Sequence, residues 1–214
     1  MTRVVKIEKT GDPEVLKIEN IEIEQPGPDE ALIETKAIAL NFIDCYHRSG
    51  LYPVKLPSGI GLEASGIIKK VGTKVKDLTV GDHVAYISAP IGAYAEERVM
   101  PVNKLVKVPT EIGLEVAATI MTKGLTTHYL LHKTYPVKAN DIILYHAAAG
   151  GVGQIFCQWA KSIGCKVIGT VGSDEKISIA KKNGCNLVIN YSSENFVKKV
   201  MDFTNGVGVS VVYD

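Results

Sequence analysis

Cysteine is scarce in this 214-residue chain. Cys45, Cys157, Cys165 and Cys185 form no C-x-x-C pair and no ligand-like cluster with histidine. That excludes a disulfide scaffold of the small secreted kind and a zinc-ribbon site. The four read as free thiols of a reducing compartment, and a cytoplasmic location is expected. Excess charge of one sign is lacking as well. Lys+Arg number 24 and Asp+Glu 23, a net +1, which leaves no electrostatic footprint for nucleic acid or an anionic membrane. There is no apolar run of the ~18 residues needed to span a bilayer. The richest stretch, residues 142–160, is broken by His146, Gly150, Gly151, Gly153, Gln154 and Gln158. The start, Met1-Thr2-Arg3-Val4-Val5-Lys6, runs into Glu8 and Lys9 without a signal-peptide core. Repeats and low-complexity segments are absent too. What is present is an ordinary globular balance, 46% hydrophobic and 22% charged, in a chain long enough for one large core or two small ones.

The first half reads as short β-prone runs: residues 4–7, 16–23, 32–39, 66–71, 83–87 and 93–99. Turn signals separate them, at Gly11-Asp12-Pro13, Gln25-Pro26-Gly27-Pro28, Gly81-Asp82 and Pro90-Ile91-Gly92. This spacing predicts an antiparallel β domain. After Pro109 the pattern changes. Residues 111–131 are helix-prone and Pro136 closes that stretch. Strands at 142–145, 166–170, 186–189 and 209–212 then alternate with helices at 174–182, 194–203 and one that carries Val152, Ile155, Phe156, Trp159, Ala160 and Ile163 on one face. Alternating strands and helices with short connections predict a doubly wound parallel sheet, so the fold class is α/β.

Ala147-Ala148-Ala149-Gly150-Gly151-Val152-Gly153 lies between a predicted strand and a predicted helix. A dinucleotide pyrophosphate requires such a turn, with close backbone approach and helix N-terminal amides aimed at it. Gly150, Gly151 and Gly153 supply the approach; Ala149 and Val152 offer main-chain N–H groups. The alternative is a plain tight βα turn, and Ala148 stands where the usual motif has its first glycine. Enzymes that use NAD place an acid at the end of the second strand for the ribose 2′-hydroxyl. Here that strand runs into Gly172 and Ser173, with Lys176 one turn into the next helix. Gly172 leaves room for a 2′-phosphate, Ser173 and Lys176 suit its oxygens and charge, and Tyr191, past the third strand, closes over it. NADPH is therefore the expected cofactor. Asp174 and Glu175 read as helix-cap and dipole residues. The alternative for Lys176 and Tyr191 is solvated charge and turn packing. Four parallel strands are fewer than the six of a complete dinucleotide sheet, so the sequence is expected to be a piece of a longer protein.

Asn41-Phe42-Ile43-Asp44, Arg48-Ser49-Gly50-Leu51-Tyr52-Pro53, Gly61-Leu62-Glu63-Ala64-Ser65-Gly66, Val80-Gly81-Asp82-His83-Val84, Gly124-Leu125-Thr126 and residues 147–153 occur in order. With these motifs the chain resembles the NADPH:quinone oxidoreductase (ζ-crystallin-like) branch of the medium-chain dehydrogenase/reductase superfamily. The resemblance implies a GroES-like catalytic domain over residues 1–124 and a Rossmann NADPH-binding domain over 125–214, incomplete at its C-terminus, with the active site in a cleft between them. It also implies a homodimer for the full-length protein. Zinc members of the superfamily have Cys where this chain has Asn41 and His where it has Leu62. Neither side chain here ligates zinc, so no metal is expected. The resemblance places Asn41, Tyr46, Tyr52 and Thr126 around nicotinamide and substrate: Asn41 and Thr126 as polar anchors, Tyr46 and Tyr52 as pocket walls with phenols able to bond a substrate oxygen. Read alone, an Asn and two Tyr in a loop are surface or packing residues, and Asp44 is a local turn residue. His47, His83, His128 and His132 have no ligand partner at diagnostic spacing. The pairs Lys69-Lys70, Lys181-Lys182 and Lys198-Lys199 read as solvated faces, and Trp159 as core. The implied activity is hydride transfer to a quinone or conjugated carbonyl. Its rivals are an enoyl or alkenal double-bond reductase and a non-catalytic nucleotide-binding, crystallin-like or RNA-binding protein, RNA being disfavoured by the near-zero charge.

Overall fold

A computed structural model describes all residues, Met1–Asp214, as two compact units, Met1–Thr122 and Lys123–Asp214. The first unit is antiparallel. Strands β1 (Thr2–Ile7), β2 (Lys17–Ile21) and β4 (Ser58–Gly59) form a three-stranded sheet in the order β2-β1-β4. Strands β3 (Glu30–Ile38), β5 (Glu63–Val71), β6 (His83–Ile87), β7 (Glu97–Pro101) and β8 (Val106–Lys107) form a second, in the order β7-β3-β5-β6-β8. Alternation along these strands turns Ile33, Ile68, Tyr86 and Met100 into a core from which water is excluded.

Two expectations for this unit need correction. The run predicted at 93–99 divides: Ala95 bridges Val4 of β1, while Glu97–Pro101 pairs with β3 as β7. One alternating pattern thus serves two sheets. Residues 42–49, read as loop, form helix α1 (Phe42–Ser49). Its ends are signalled locally: the Asp44 carboxylate accepts the Asn41 N–H at 3.0 Å, and Gly50 closes the helix at φ +86°.

Helix α2 (Leu114–Tyr129) contains the division between the units and is followed by a wider π-type turn, Leu130–Thr134, before Pro136. The second unit then alternates β9 (Ile142–Tyr145), α3 (Gly151–Ile163), β10 (Lys166–Val171), α4 (Glu175–Lys182), β11 (Leu187–Asn190), α5 (Phe196–Phe203) and β12 (Val211–Tyr213). All four strands are parallel, in the order β11-β10-β9-β12. Both faces of the sheet are covered, as a parallel sheet requires. Tyr145, Phe156, Ala160 and Val167 pack on one side; Leu144, Ile168, Ile189 and Val200 pack on the other. The order reverses between β9 and β12, the switch point at which open α/β sheets receive ligands beyond their strand ends. Trp159, expected as core, is only partly buried and has the rings of His128 and His132 beside it. No helix is long and apolar enough to cross a membrane.

Candidate functional site

The glycine turn sits at that switch point. Ala147 takes φ +54°, and its carbonyl accepts the Gly150 N–H at 2.8 Å. The Ala148 N–H is tied to the Thr170 carbonyl of β10. Gly150 stands at the N-cap of α3 and contributes no capping side chain, so the first-turn amides are left for an external anion. Gly153 is required by close approach: a Cβ there would lie 2.6 Å from the Ala147 oxygen and 2.8 Å from the Ala148 backbone. Ala149 and Val152 are half-buried, and Gly150 and Gly151 are exposed. These positions form a tight turn that leaves backbone open at the start of α3.

The corner after β10 is held by the loop after β11. Tyr191 N–H donates to the Val171 carbonyl at 3.1 Å, and the Ser192 hydroxyl donates to the Gly172 carbonyl at 2.9 Å. The Tyr191 hydroxyl lies 2.7 Å from where a Gly172 Cβ would stand. Lys176 is exposed and joins no ion pair. Asp174 departs from its expected role, since its carboxylate caps nothing in α4. It instead accepts from Asn190 Nδ2 at 2.7 Å. One acid of this corner, Asp174, is therefore tied to β11 while Glu175 opens α4, and Gly172, Ser173, Lys176 and Tyr191 offer space and donor groups of the kind a phosphate accepts.

In the first unit, the Tyr46 and Tyr52 rings come together, and Asn41 stands at the start of the helix that carries Tyr46. Asn41 stands at the N-cap of α1 and Tyr46 lies within it; Tyr52 follows it, its N–H on the Tyr46 carbonyl. Ring centroids are 5.1 Å apart for Tyr46–Tyr52 and 5.2 Å for Phe42–Tyr46. With Phe42 74% and Tyr52 47% exposed, this is an open aromatic face. Asp44 is buried. It accepts from Asn41 N–H and from the Tyr94 phenol at 2.9 Å, which makes it a structural anchor for α1. Burial first, and then the Asp44 charge, push the Tyr94 phenol well above its ordinary pKa, so it stays a donor. Thr126 lies on α2, half-buried, in the second unit.

Three residues were missed by sequence reasoning. Glu63 is fully buried and accepts Asn41 Nδ2 at 2.6 Å, the Thr122 hydroxyl at 2.6 Å and the Thr122 N–H at 2.7 Å. Its partners lie 22 and 59 positions away; the only available hint was a carboxylate among the small residues of Gly61–Gly66. The Lys123 stem crosses Gly151, with Cε 2.8 Å from the position of a Cβ there. His146 shares a 2.8 Å hydrogen bond with the Thr170 hydroxyl and stands edge-on to Phe196. No group of three or more His, Cys, Asp or Glu side chains is arranged to hold a metal.

Known proteins share both units with the chain. Residues 27–110 match the family described as "Alcohol dehydrogenase GroES-like domain" and residues 151–214 that described as "Zinc-binding dehydrogenase". The quinone oxidoreductase of Pseudomonas aeruginosa is 47% identical over 215 residues, covering all of this chain and 66% of the relative. The crystal structure of the Escherichia coli quinone oxidoreductase complexed with NADPH superimposes with a TM-score of 0.97 at 47% identity, over 100% of this chain and 66% of that one. The chain belongs to the zinc-independent quinone-oxidoreductase branch of the medium-chain dehydrogenase/reductase superfamily. A 2-haloacrylate reductase of Burkholderia sp is also similar, 43% identical over 220 residues that cover all of this chain and 66% of the relative. The chain thus spans 66% of the length of these relatives. The second family description mentions zinc, whereas the branch to which the chain belongs is zinc-independent.

Proposed function

We propose that the protein carrying this chain is an NADPH-dependent quinone reductase. The observation that carries the cofactor choice is the corner after β10, where Gly172 bears the Tyr191 hydroxyl, Lys176 is unpaired, and Asp174 is held by Asn190. An NAD site would present a carboxylate there to two ribose hydroxyls. In this chain the same place offers a cation, a phenol and a serine, which suit a 2′-phosphate. Ala149, Gly150, Gly151 and Val152 receive the pyrophosphate, assisted by the α3 N-terminus.

NADPH, when bound, supplies the hydride. The chain's own residues supply alignment. Glu63 holds the Asn41 amide by its nitrogen and so fixes the orientation of this side chain, the first polar anchor. Thr126 is a second polar anchor. Phe42, Tyr46 and Tyr52 offer a flat aromatic surface to a flat conjugated acceptor. The Tyr46 and Tyr52 phenols donate to its oxygens as negative charge develops there.

Calorimetry with NADPH and NADH, on this chain and on the full-length protein, tests the cofactor. Tight NADPH and weak NADH binding is expected; no NADPH binding by either removes the proposal. NADPH oxidation over a quinone panel tests the acceptor, and absence of turnover with every quinone sinks that half. A second reading, reduction of a conjugated carbon–carbon double bond, is favoured by the likeness to a 2-haloacrylate reductase. Relative rates on a quinone and an activated alkene separate the two. A cytoplasmic, homodimeric full-length protein completes the proposal, the first supported by four unbridged thiols and the second by the family. Light scattering checks the dimer.

A further inference from the structure

We propose that Cys157 and Cys185 form an oxidisable dithiol that couples peroxide exposure to nucleotide binding. The two sulfurs lie 3.4 Å apart and share a hydrogen bond. Cys157 is on α3, the helix that begins at the glycine turn, and Cys185 is in the corner between α4 and β11. The approach is built by glycines on both sides. Gly184 takes φ +111°, and a Cβ there would stand 3.2 Å from the Cys157 carbonyl and 2.8 Å from Lys161 Cδ, so the corner rests directly on α3. Gly169 of β10 lies between Ala148 of the turn and Cys185, a Cβ on it meeting the Ala148 methyl at 2.6 Å and the Cys185 sulfur at 2.7 Å. Movement of Cys185 is therefore transmitted through one backbone position to the floor of the pyrophosphate cradle.

The two thiols differ in readiness. Cys157 is wholly enclosed, whereas Cys185 keeps a small exposure at the corner. The contact between the two thiols holds Cys185 below its ordinary pKa and, with burial, raises Cys157. Cys185, the one of the two that solvent reaches, attacks hydrogen peroxide as its thiolate. A sulfur–oxygen bond forms, the peroxide bond breaks, and hydroxide leaves to take up a proton as water. The Cys157 sulfur attacks the sulfenic acid so formed; the sulfur–sulfur bond forms as the sulfur–oxygen bond breaks and a second water leaves. The dithiol loses two electrons and two protons, and one peroxide becomes two waters. Closing from 3.4 Å to the ~2.0 Å of a disulfide draws the α4–β11 corner toward α3 and repacks the contact beneath Ala148.

The effect on nucleotide binding rests on the NADPH proposal; the cross-link does not. The test uses hydrogen peroxide on the folded chain, followed by thiol counting after denaturation, intact mass and peptide mapping. The expected result is a fall from four thiols to two, loss of two hydrogens in mass, and a linked peptide pair containing residues 157 and 185. In Cys157→Ala, dimedone should trap a sulfenic acid on Cys185. In Cys185→Ala, Cys157 should stay reduced. Four surviving thiols in the wild type, or oxygen added without the linked pair, overturns the proposal; the mapping needs no variant to fold. Calorimetry should show NADPH binding about fivefold weaker after oxidation and restored by dithiothreitol. A linked form that binds NADPH unchanged overturns the coupling. If the reduced form does not bind NADPH either, the cofactor reading fails while the dithiol chemistry is judged on the mapping alone.

Discussion

Glu63→Gln is a perturbation whose consequence can be worked from the structure. The substitution keeps the volume of a wholly buried side chain but exchanges one acceptor oxygen for a donor NH₂. One carboxylate oxygen, Oε2, takes both Asn41 Nδ2 and the Thr122 hydroxyl at 2.6 Å; the other takes the Thr122 N–H at 2.7 Å. If the new NH₂ replaces Oε1 it faces the Thr122 N–H, donor against donor. If it replaces Oε2 it faces the Asn41 NH₂, and only the Thr122 hydroxyl can rotate to accept. Either way one buried donor loses its partner, a cost of about 1–3 kcal/mol, and the remaining bonds change from charged to neutral acceptors, which are worth less. A total of about 2–4 kcal/mol is expected, a fall in Tm of roughly 5–15 °C for a chain of this size. Thermal and urea unfolding measure it. An Asn41→Ala, Glu63→Gln double mutant should cost less than the sum of the singles, because the two share a bond. Stability within about 0.5 kcal/mol of wild type, outside the class of effects expected for a buried network, would show that Glu63 is dispensable and refute the reasoning.

The glycine turn and its corner give two further expectations. Gly153→Ala places a methyl 2.6 Å from a carbonyl oxygen, where backbone must shift; about 1–3 kcal/mol of destabilisation and loss of NADPH binding are expected by calorimetry, and an unaltered affinity would contradict the close approach. Lys176→Met should weaken NADPH about tenfold or more while leaving NADH within about twofold, since only the first has a 2′-phosphate to pair; equal losses for both would place Lys176 elsewhere. Alkaline stability gives a fourth. Burial pushes the Tyr145 and Tyr213 phenols up to about 12, above the ordinary value near 10. The unfolded chain then binds fewer protons than the native one between these values. Stability contributed by the neutral phenols is complete below about pH 10 and falls as pH rises toward 12. A urea midpoint unchanged between about pH 9 and pH 11.5 would rule out their burial as neutral groups.

Local pattern decided the elements whose signals are contiguous. Strand β9 occupies the predicted residues, and α3, β10, α4 and α5 lie within a residue or two of expectation, because a 3.6-residue apolar face and a glycine-rich turn are properties of neighbouring residues. Two-residue strands carry no such period. β4 and β8 exist because Lys6 and Ile7, and Val84 and Ala85, stand beside them. Helix α1 is an intermediate case: its residues were read as loop, although the acid three residues after Asn41 and the glycine at 50 mark a helix at both ends.

The candidate site divides in the same way. The glycine turn of residues 149–153 and the run of Gly172, Ser173 and Lys176 are written in consecutive or one-turn spacing, so the proposed cofactor positions were legible in the sequence. The family resemblance, also carried by short ordered motifs, located Asn41, Tyr46 and Tyr52. Tertiary structure decided how these side chains are aimed. It took Asp174 away from the cofactor corner by giving it Asn190, and placed the Tyr191 hydroxyl over Gly172. It fixed Asn41 through Glu63 and set Cys185 against Cys157. Each of these contacts joins residues 16 to 28 positions apart. Hydrogen bonds and thiol contacts act over about 3 Å of space whatever the separation along the chain, so only the folded backbone could bring the partners within range.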